Sequence, residues 1–329
     1  MQISSINDII QGELQNSPAI SFISNVKTNA KRVHEGDLFV AKNEDDIAVA
    51  LKNGAFAIVT QAATTILDSE IAWIVVDDIQ KALIRFIRYS LSQLDLHAFY
   101  CDEISYKLIQ LNKTATHQNI KLFSNNIEHS LKLLDTLENG DTIFSFNKEI
   151  LDAIYPKNKN FNTSTFEIKN VIEHSLFETT FSYKEDYFSR IRISGLYLNQ
   201  FLEVFLLFNK EIDFNKLKKL NHFKPIFIDK YSTVVEYGKS GKFILAQESF
   251  QIAQEELAYI HKKYTYGKIV VFIKKGLTLS NNNYICIQAI EEIKEKLKKQ
   301  RYNAVYIIGF SSQKIENFLN ENNAINALL

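Results

Sequence analysis

Five residues that follow an apolar run have the side chains from which a phosphate site could be built. They are Cys101, Asp102, Glu103, Ser105 and Lys107, within LHAFYCDEISYKL at residues 96–108. In a strand–turn–helix nucleotide site, a glycine-rich turn presents backbone N–H groups to phosphate, a lysine neutralises charge, and a serine or threonine holds magnesium. Here the turn carries two carboxylates, and each would repel a phosphate charge by about 1 to 4 kcal/mol at ~4 Å. The stretch has the outline of a nucleotide site without its chemistry.

The same side chains also have simpler interpretations. Asp102 and Glu103 could form an acid/base pair or a metal site, but an acidic residue at a helix start is usually a cap, so we expect Asp102 to cap a helix. Cys101 could be a nucleophile at a helix N-terminus, yet no partner histidine is evident, and we expect a buried, unreactive thiol. None of the seven histidines has metal-site spacing such as HExxH, so we predict no metal site and no catalytic residue.

Composition limits the classes of function. Lys+Arg and Asp+Glu are balanced at 38 each, which argues against a broad nucleic-acid surface. A length of 329 residues with 46% apolar content predicts a soluble protein of two or three domains. We see no signal peptide and no apolar run of about 18 residues, so we predict no membrane span and expect a cytoplasmic location. Cys101 and Cys286 are far apart, which favours two reduced thiols.

Strand-like and helix-like patterns alternate along the chain, which predicts an α/β fold. Strands are expected at 38–41, 56–60, 73–76, 96–100, 120–123 and 142–146, with helices at 46–53, 79–91, 104–112 and 127–137. Residues 166–193 favour antiparallel strands, and 196–208 a buried helix. The last part predicts strands at 233–237, 243–246, 269–273 and 304–308, helices at 249–262 and 285–299, and a final helix. That order is Rossmann-like.

Residues 27–59, KTNAKRVHEGDLFVAKNEDDIAVALKNGAFAIV, carry a resemblance to a known family. The GDLFVA run at 36–41 and the Gly54–Ala55 pair resemble the N-terminal substrate-binding domain of the Mur ligases. The order of the remaining pieces is similar to the member that adds D-alanyl-D-alanine to the UDP-N-acetylmuramoyl tripeptide. The resemblance implies a three-domain architecture with a UDP-precursor domain at 1–93, a shortened, degenerate central ATPase-like domain at 94–222 and a Rossmann-like C-terminal domain at 223–329.

The sequence departs from that family wherever the resemblance would place ATP. YCDEISY replaces the Gly, Lys and Thr run of the ATP loop, and too little chain follows for the segment that carries the metal-binding Glu, the His and the modified Lys. In the family's Gly-x-His-Asn-x-x-Asn helix start, Tyr197, Leu198 and Phe201 occupy the His and Asn positions. The segment that packs over ATP falls on residues 246–253, AQESFQIA, which share almost nothing with it. We therefore expect no cofactor, with ATP and Mg²⁺ needed only if the chain is an active ligase.

The resemblance also implies a site for the UDP moiety, formed by Ser24, Asn25, Thr28, Asn29 and Lys31. Asn29, Ala30 and Lys31 replace the family's Asp, Ser and Arg and keep one positive charge. The nearby NEDD run at 43–46 is acidic and disfavours a diphosphate. A solvated surface loop is therefore an equally good interpretation of these residues.

Three hypotheses for function follow. The first is a non-catalytic pseudoenzyme that binds a UDP-muramoyl precursor or regulates the enzymes of peptidoglycan synthesis. The second is an active ATP-dependent ligase with a divergent nucleotide site. The third is a structural interaction subunit without a small-molecule ligand. We favour the first, because an acyl-phosphate ligase needs ATP and magnesium to activate a carboxylate.

Overall fold

A computed structural model describes residues 1–279 and 283–326. Its contacts group into two compact units. Unit 1 contains Met1–Tyr106 and Lys113–Thr163, and unit 2 contains Lys107–Asn112 and Ser164–Leu329. The boundaries inferred from the sequence, after residues 93 and 222, stay a prediction.

Unit 1 begins with a five-stranded sheet. Its elements are α1 (Ile3–Ile10), β1 (Glu13–Leu14), β2 (Val26–Lys27), β3 (Leu38–Val40), α2 (Asp45–Lys52), β4 (Ala57–Thr60), β5 (Ala72–Val75) and α3 (Ile79–Ser92). The strand order is β1-β5-β4-β3-β2, and only β1 is antiparallel to its neighbour. Asp78 caps α3, since its carboxylate accepts from the Lys81 amide at 3.0 Å.

A second sheet in unit 1 is entirely parallel. Its strands are β6 (His97–Tyr100), β7 (Ile120–Phe123), β8 (Thr142–Ser145) and β9 (Lys159–Asn160), in the order β7-β8-β6-β9. The helices along this part of the chain are α4 (Glu103–Asn112), α5 (Ile127–Leu133) and α6 (Lys148–Ile154). Helix α3 packs against α5 and α6, so Ile87 and Leu91 share one apolar core with Leu96 and Ile143. The two sheets of unit 1 therefore pack on a common core. The carboxyl ends of all four parallel strands lie at one edge of their sheet.

Unit 2 combines an antiparallel sheet with a mostly parallel one. Its elements are β10 (Lys169–Ser175), β11 (Glu178–Tyr183), β12 (Asp186–Ile191), α7 (Leu198–Leu207), β13 (Ile226–Phe227), β14 (Phe243–Gln247), α8 (Phe250–Lys263), β15 (Ile269–Lys274), β16 (Ile285–Ile287), α9 (Glu292–Lys298), β17 (Ala304–Ile308) and α10 (Ser312–Asn326). Strands β10–β12 form a meander, and the larger sheet has the order β13-β14-β17-β15-β16 with β13 antiparallel. The predicted antiparallel strands, buried helix and Rossmann-like order are all present.

Two predicted elements of unit 2 are wrong. Residues 233–237 form no strand, because the Asp229 carboxylate accepts from the amides of Tyr231 and Thr233 and closes a turn there. The predicted helix at 285–299 begins as β16, whose apolar side chains complete the parallel edge beside β15, and becomes helical only at Glu292. In the second case, sheet pairing overrode the local helical pattern.

Candidate functional site

The turn between β6 and α4 contains only Cys101 and Asp102, and it lies at the carboxyl edge of the parallel sheet. Cys101 is fully buried, and its amide donates to the Ser145 carbonyl of β8 at 3.0 Å. This is the edge at which open α/β sheets bind ligands. The buried position expected of Cys101 is confirmed.

Asp102 caps α4, as the sequence predicts. Its carboxylate Oδ1 accepts from the Ser105 amide at 2.7 Å, and its carbonyl accepts from the Tyr106 amide at 3.0 Å. A phosphate at a helix N-terminus is bound by amides of this first turn. Here the Ser105 amide is already paired with a side-chain carboxylate of the protein itself.

Asn162, which follows β9, completes this arrangement. Its Oδ1 accepts from the Asp102 amide at 2.9 Å, and its Nδ2 donates to the Ser105 hydroxyl at 2.8 Å. Ser105 is fully buried, so its hydroxyl is part of the packed interior. No local pattern in the sequence indicates Asn162, because the contact joins residues that are far apart in the chain.

The remaining predicted loop residues lie within α4. Glu103 is its first residue and is half-buried. Lys107 is in the part of α4 that groups with unit 2, and its Nζ donates to Gln110 at 3.2 Å. Beside them, burial raises the pKa of Tyr106 to about 12, and its ring lies 4.7 Å from that of Phe146. Aromatic packing and hydrogen bonds within the protein therefore surround the start of the helix.

The residues expected to hold a UDP moiety are used in several separate contacts. Asn25 donates to the carboxylate of Asp37 at 3.1 Å, and Asp37 is only 1% exposed and also accepts from the His34 amide at 3.0 Å. Asn29 accepts from the Lys31 amide at 3.0 Å and caps the short 3₁₀ helix Ala30–Arg32. These two asparagines therefore stabilise the local backbone.

Thr28 lies beside a carboxylate. Its hydroxyl donates to Glu128 Oε2 of α5 at 3.2 Å, and Lys42 is hydrogen-bonded to the other oxygen of the same carboxylate. The bond from Lys42 lowers the pKa of Glu128, so the carboxylate is ionised at neutral pH. The ionised carboxylate of Glu128 thus contacts Thr28, one of the residues predicted to bind the diphosphate. Ser24 and Lys31 remain exposed, and whether any of the five residues touches a UDP group stays a prediction.

A buried polar cluster in unit 2 was missed by the sequence reasoning. Glu256 of α8 is 1% exposed, and its carboxylate accepts from the Tyr197 hydroxyl at 2.6 Å and from the Tyr306 hydroxyl. Burial raises the pKa of Glu256 against the opposing effect of these hydrogen bonds. The signal was a glutamate on an apolar helix face, one turn from Ala253 and Ile260.

Among residues 1–279 and 283–326, no group of three or more His, Cys, Asp and Glu side chains is arranged to hold a metal ion. In the same part of the chain, no helix combines the length and the apolar character needed to cross a membrane. The expectation that no metal is bound stays a prediction.

The fold described above is that of the Mur ligases. The MurF ligase from Thermotoga maritima, solved in complex with ADP, aligns with a TM-score of 0.50 at 14% identity, over 91% of this chain and 98% of that one. MurF from Acinetobacter baumannii aligns with a TM-score of 0.52 at 12% identity, over 97% of each chain. No protein-family model and no curated protein sequence matches the chain. The predicted α/β, Mur-ligase-like fold class is confirmed, whereas identities this low establish fold alone.

Proposed function

We propose that this protein is a non-catalytic, Mur-ligase-like binding protein that acts on peptidoglycan precursor synthesis, through a UDP-muramoyl precursor or an enzyme that makes one. The observation that carries the proposal is the β6–α4 turn. The amides that would receive phosphate are paired with Asp102 and Asn162, and the Asp102 carboxylate lies in the turn itself. ATP and magnesium do not fit these residues, so we derive no ligase step.

Binding of a phosphate at the start of α4 would require the loss of existing hydrogen bonds. A phosphate at α4 would have to displace the Asp102 carboxylate from the Ser105 amide and Asn162 from the Asp102 amide. The bond to the Asp102 carboxylate contributes about 1.5 to 3 kcal/mol and the bond to the neutral Asn162 side chain about 0.5 to 1.5 kcal/mol, and the carboxylate's repulsion of a phosphate adds about 1 to 4 kcal/mol per charge pair. Together these costs exceed the favourable effect of a helix N-terminus on an anion, about 0.3 to 2 kcal/mol.

Calorimetric titration of the full chain with ATP and magnesium tests the non-catalytic part. We expect no saturable heat from the unmodified protein. Asn162→Ala is a useful second protein, because it releases the Asp102 amide but leaves the carboxylate in place, and it too should give none. Circular dichroism confirms that both proteins are folded. Micromolar binding that is abolished by substitutions within residues 101–107 would refute the proposal in favour of an active ligase.

Thermal-shift measurements with UDP and UDP-N-acetylmuramic acid test the binding part. A saturable rise in melting temperature is expected for a ligand that binds the folded state. Lys31→Ala should reduce the rise, because Lys31 is the exposed cation of the predicted set. Arg32→Ala is the control, because it removes the neighbouring exposed cation, which the prediction does not include. If no UDP compound raises the melting temperature, a UDP-muramoyl precursor is excluded as the ligand. That result would favour the hypothesis of a structural subunit.

A further inference from the structure

Unit 2 contains a groove with aromatic walls, which we call the aromatic groove. It has a volume of about 320 Å³. The Phe and Tyr side chains that line it are Phe177, Phe227, Tyr237, Phe243, Tyr264 and Tyr266. Tyr266 is 84% exposed, and its ring lies 4.6 Å from that of Tyr264. Ligand pockets of small molecules begin at about this volume and are lined mainly by such side chains.

The aromatic groove lies away from the edge at which α/β sheets usually bind ligands. Phe243 is the first residue of β14, and Tyr264 and Tyr266 lie between the end of α8 and the start of β15. These positions mark the amino ends of the parallel strands, whereas open α/β sheets bind ligands at the carboxyl ends. A ligand in the groove would therefore occupy a separate site from one placed by that general rule.

A smaller neighbouring cavity, which we call the basic cavity, has a volume of about 70 Å³. Its charged lining residues are Arg192, Lys218 and Lys224, and no Asp or Glu lines it. Lys224 is paired with Glu316 at 3.0 Å, so Arg192 and Lys218 supply the positive charge of the cavity. In a chain with equal numbers of acidic and basic residues, this is a local excess of positive charge. Clefts lined by one sign of charge concentrate ions of the opposite sign.

The aromatic groove and the basic cavity meet at Phe177 and Tyr237, which line both. The Phe177 ring lies 5.5 Å from Phe223 on the basic side and 5.2 Å from Phe243 on the aromatic side. The Arg192 guanidinium lies 4.1 Å from the centroid of the Tyr237 ring, so a cation is held at the junction. Stacking surface and positive charge are thus adjacent within one unit.

We propose that the aromatic groove and the basic cavity form one binding site for a small molecule whose planar ring carries an acidic group. The ring packs against Tyr264 and Tyr266, and the acidic group lies near Arg192 and Lys218. The polar residues of the groove orient the ring edge. Among them, the Arg190 guanidinium is paired with Glu178 at 2.7 Å, so its charge is largely balanced there.

Four probes separate the two halves of this site. They are 1-naphthyl phosphate, 1-naphthoate, 1-naphthol and inorganic phosphate, titrated into the full chain and followed by calorimetry and saturation-transfer NMR. We expect the naphthyl phosphate to bind saturably, at least about tenfold more tightly than naphthol or phosphate alone, because only it uses both halves. Comparison with naphthoate distinguishes a phosphate from a carboxylate as the acidic group.

Two substitutions and one control locate the binding. Tyr266→Ala should weaken naphthyl phosphate and naphthol by about fivefold or more and leave inorganic phosphate unchanged, since ring stacking is lost. Lys218→Ala should weaken naphthyl phosphate and inorganic phosphate and leave naphthol unchanged. Tyr231→Ala removes another tyrosine, 72% exposed, that lines neither cavity, and should change nothing.

Several results would overturn the proposal. It is wrong if no probe binds saturably, or if naphthyl phosphate binds no more tightly than naphthol. It is also wrong if Tyr231→Ala weakens binding as much as Tyr266→Ala does. Both positions are exposed on the surface, so loss of folding does not complicate the comparison. None of these outcomes depends on the β6–α4 turn or on binding of ATP.

Discussion

Replacing Glu256 by alanine should destabilise unit 2 strongly. The substitution removes the carboxylate that accepts from the hydroxyls of Tyr197 and Tyr306, and these residues are only 3% and 1% exposed. A hydrogen bond contributes about 0.5 to 3 kcal/mol, depending on the charge of its acceptor, so the loss of two gives about 1 to 6 kcal/mol in the free energy of unfolding. Removing a buried carboxylate offsets part of this loss, since burial disfavours its charge.

Guanidinium unfolding followed by circular dichroism measures the loss, and hydrogen exchange of the α8 and β17 amides locates it. Glu255→Ala is the matched control, because the neighbouring glutamate is exposed and should change stability by less than about 0.5 kcal/mol. Glu256→Gln keeps an acceptor oxygen and should cost much less than alanine. A loss below about 1 kcal/mol for Glu256→Ala would refute the role of this carboxylate as an acceptor for two buried hydroxyls.

The same carboxylate should also make the stability of unit 2 depend on pH. The pKa of Glu256 is raised above its ordinary 4.5, chiefly by burial, so the unfolded chain loses this proton at a lower pH than the folded one. Its contribution is complete below about pH 4.5 and is lost as pH rises through the raised pKa. The stability difference between the unmodified protein and Glu256→Gln should therefore fall with rising pH. A difference that grows over this range would contradict the direction of the shift.

Three further predictions concern unit 1. Asp102→Ala removes the cap of α4 and should cost about 0.5 to 2 kcal/mol in denaturant unfolding; no loss would show that the cap is dispensable. Gly54→Ala should cost more than Gly140→Ala, because both have φ near +90° but only at Gly54 would a Cβ lie 2.9 Å from a backbone atom; equal melting temperatures would contradict this. The Lys42–Glu128 pair should stabilise unit 1 above about pH 4.5 and fail as pH falls through the lowered pKa of Glu128, so the difference from Glu128→Gln should shrink on acidification.

Local patterns predicted most of the fold correctly. The strands at 120–123 and 304–308 have the predicted bounds, and the predicted Asp102 cap is present, because short-range chemistry decides each of them. The phenylalanines within 177–188 and 201–208 are buried, whereas Tyr187 is 68% exposed. Strand β16 was read as helix, because its pairing with β15 depends on chain about ten residues away.

The candidate sites were less predictable than the elements that carry them. Asn162 and Glu128 contact residues 57 and 100 positions away, and no local pattern encodes such distances. Glu256 could have been found, because a charged residue on an apolar helix face requires partners. The walls of the aromatic groove come from separated turns, so only the folded chain brings Tyr237 and Tyr266 together.

The length of the β6–α4 connection limits what amino-acid substitutions could build there. A phosphate loop of the Gly-x-x-x-x-Gly-Lys-Ser/Thr type needs eight residues to leave a strand and enter a helix, but Cys101 and Asp102 are all that this connection contains. Point substitutions change side chains and cannot lengthen a connection. Such a loop would require an insertion, together with the loss of the Asn162 contacts at the helix start. No single substitution in this chain would therefore create such a loop.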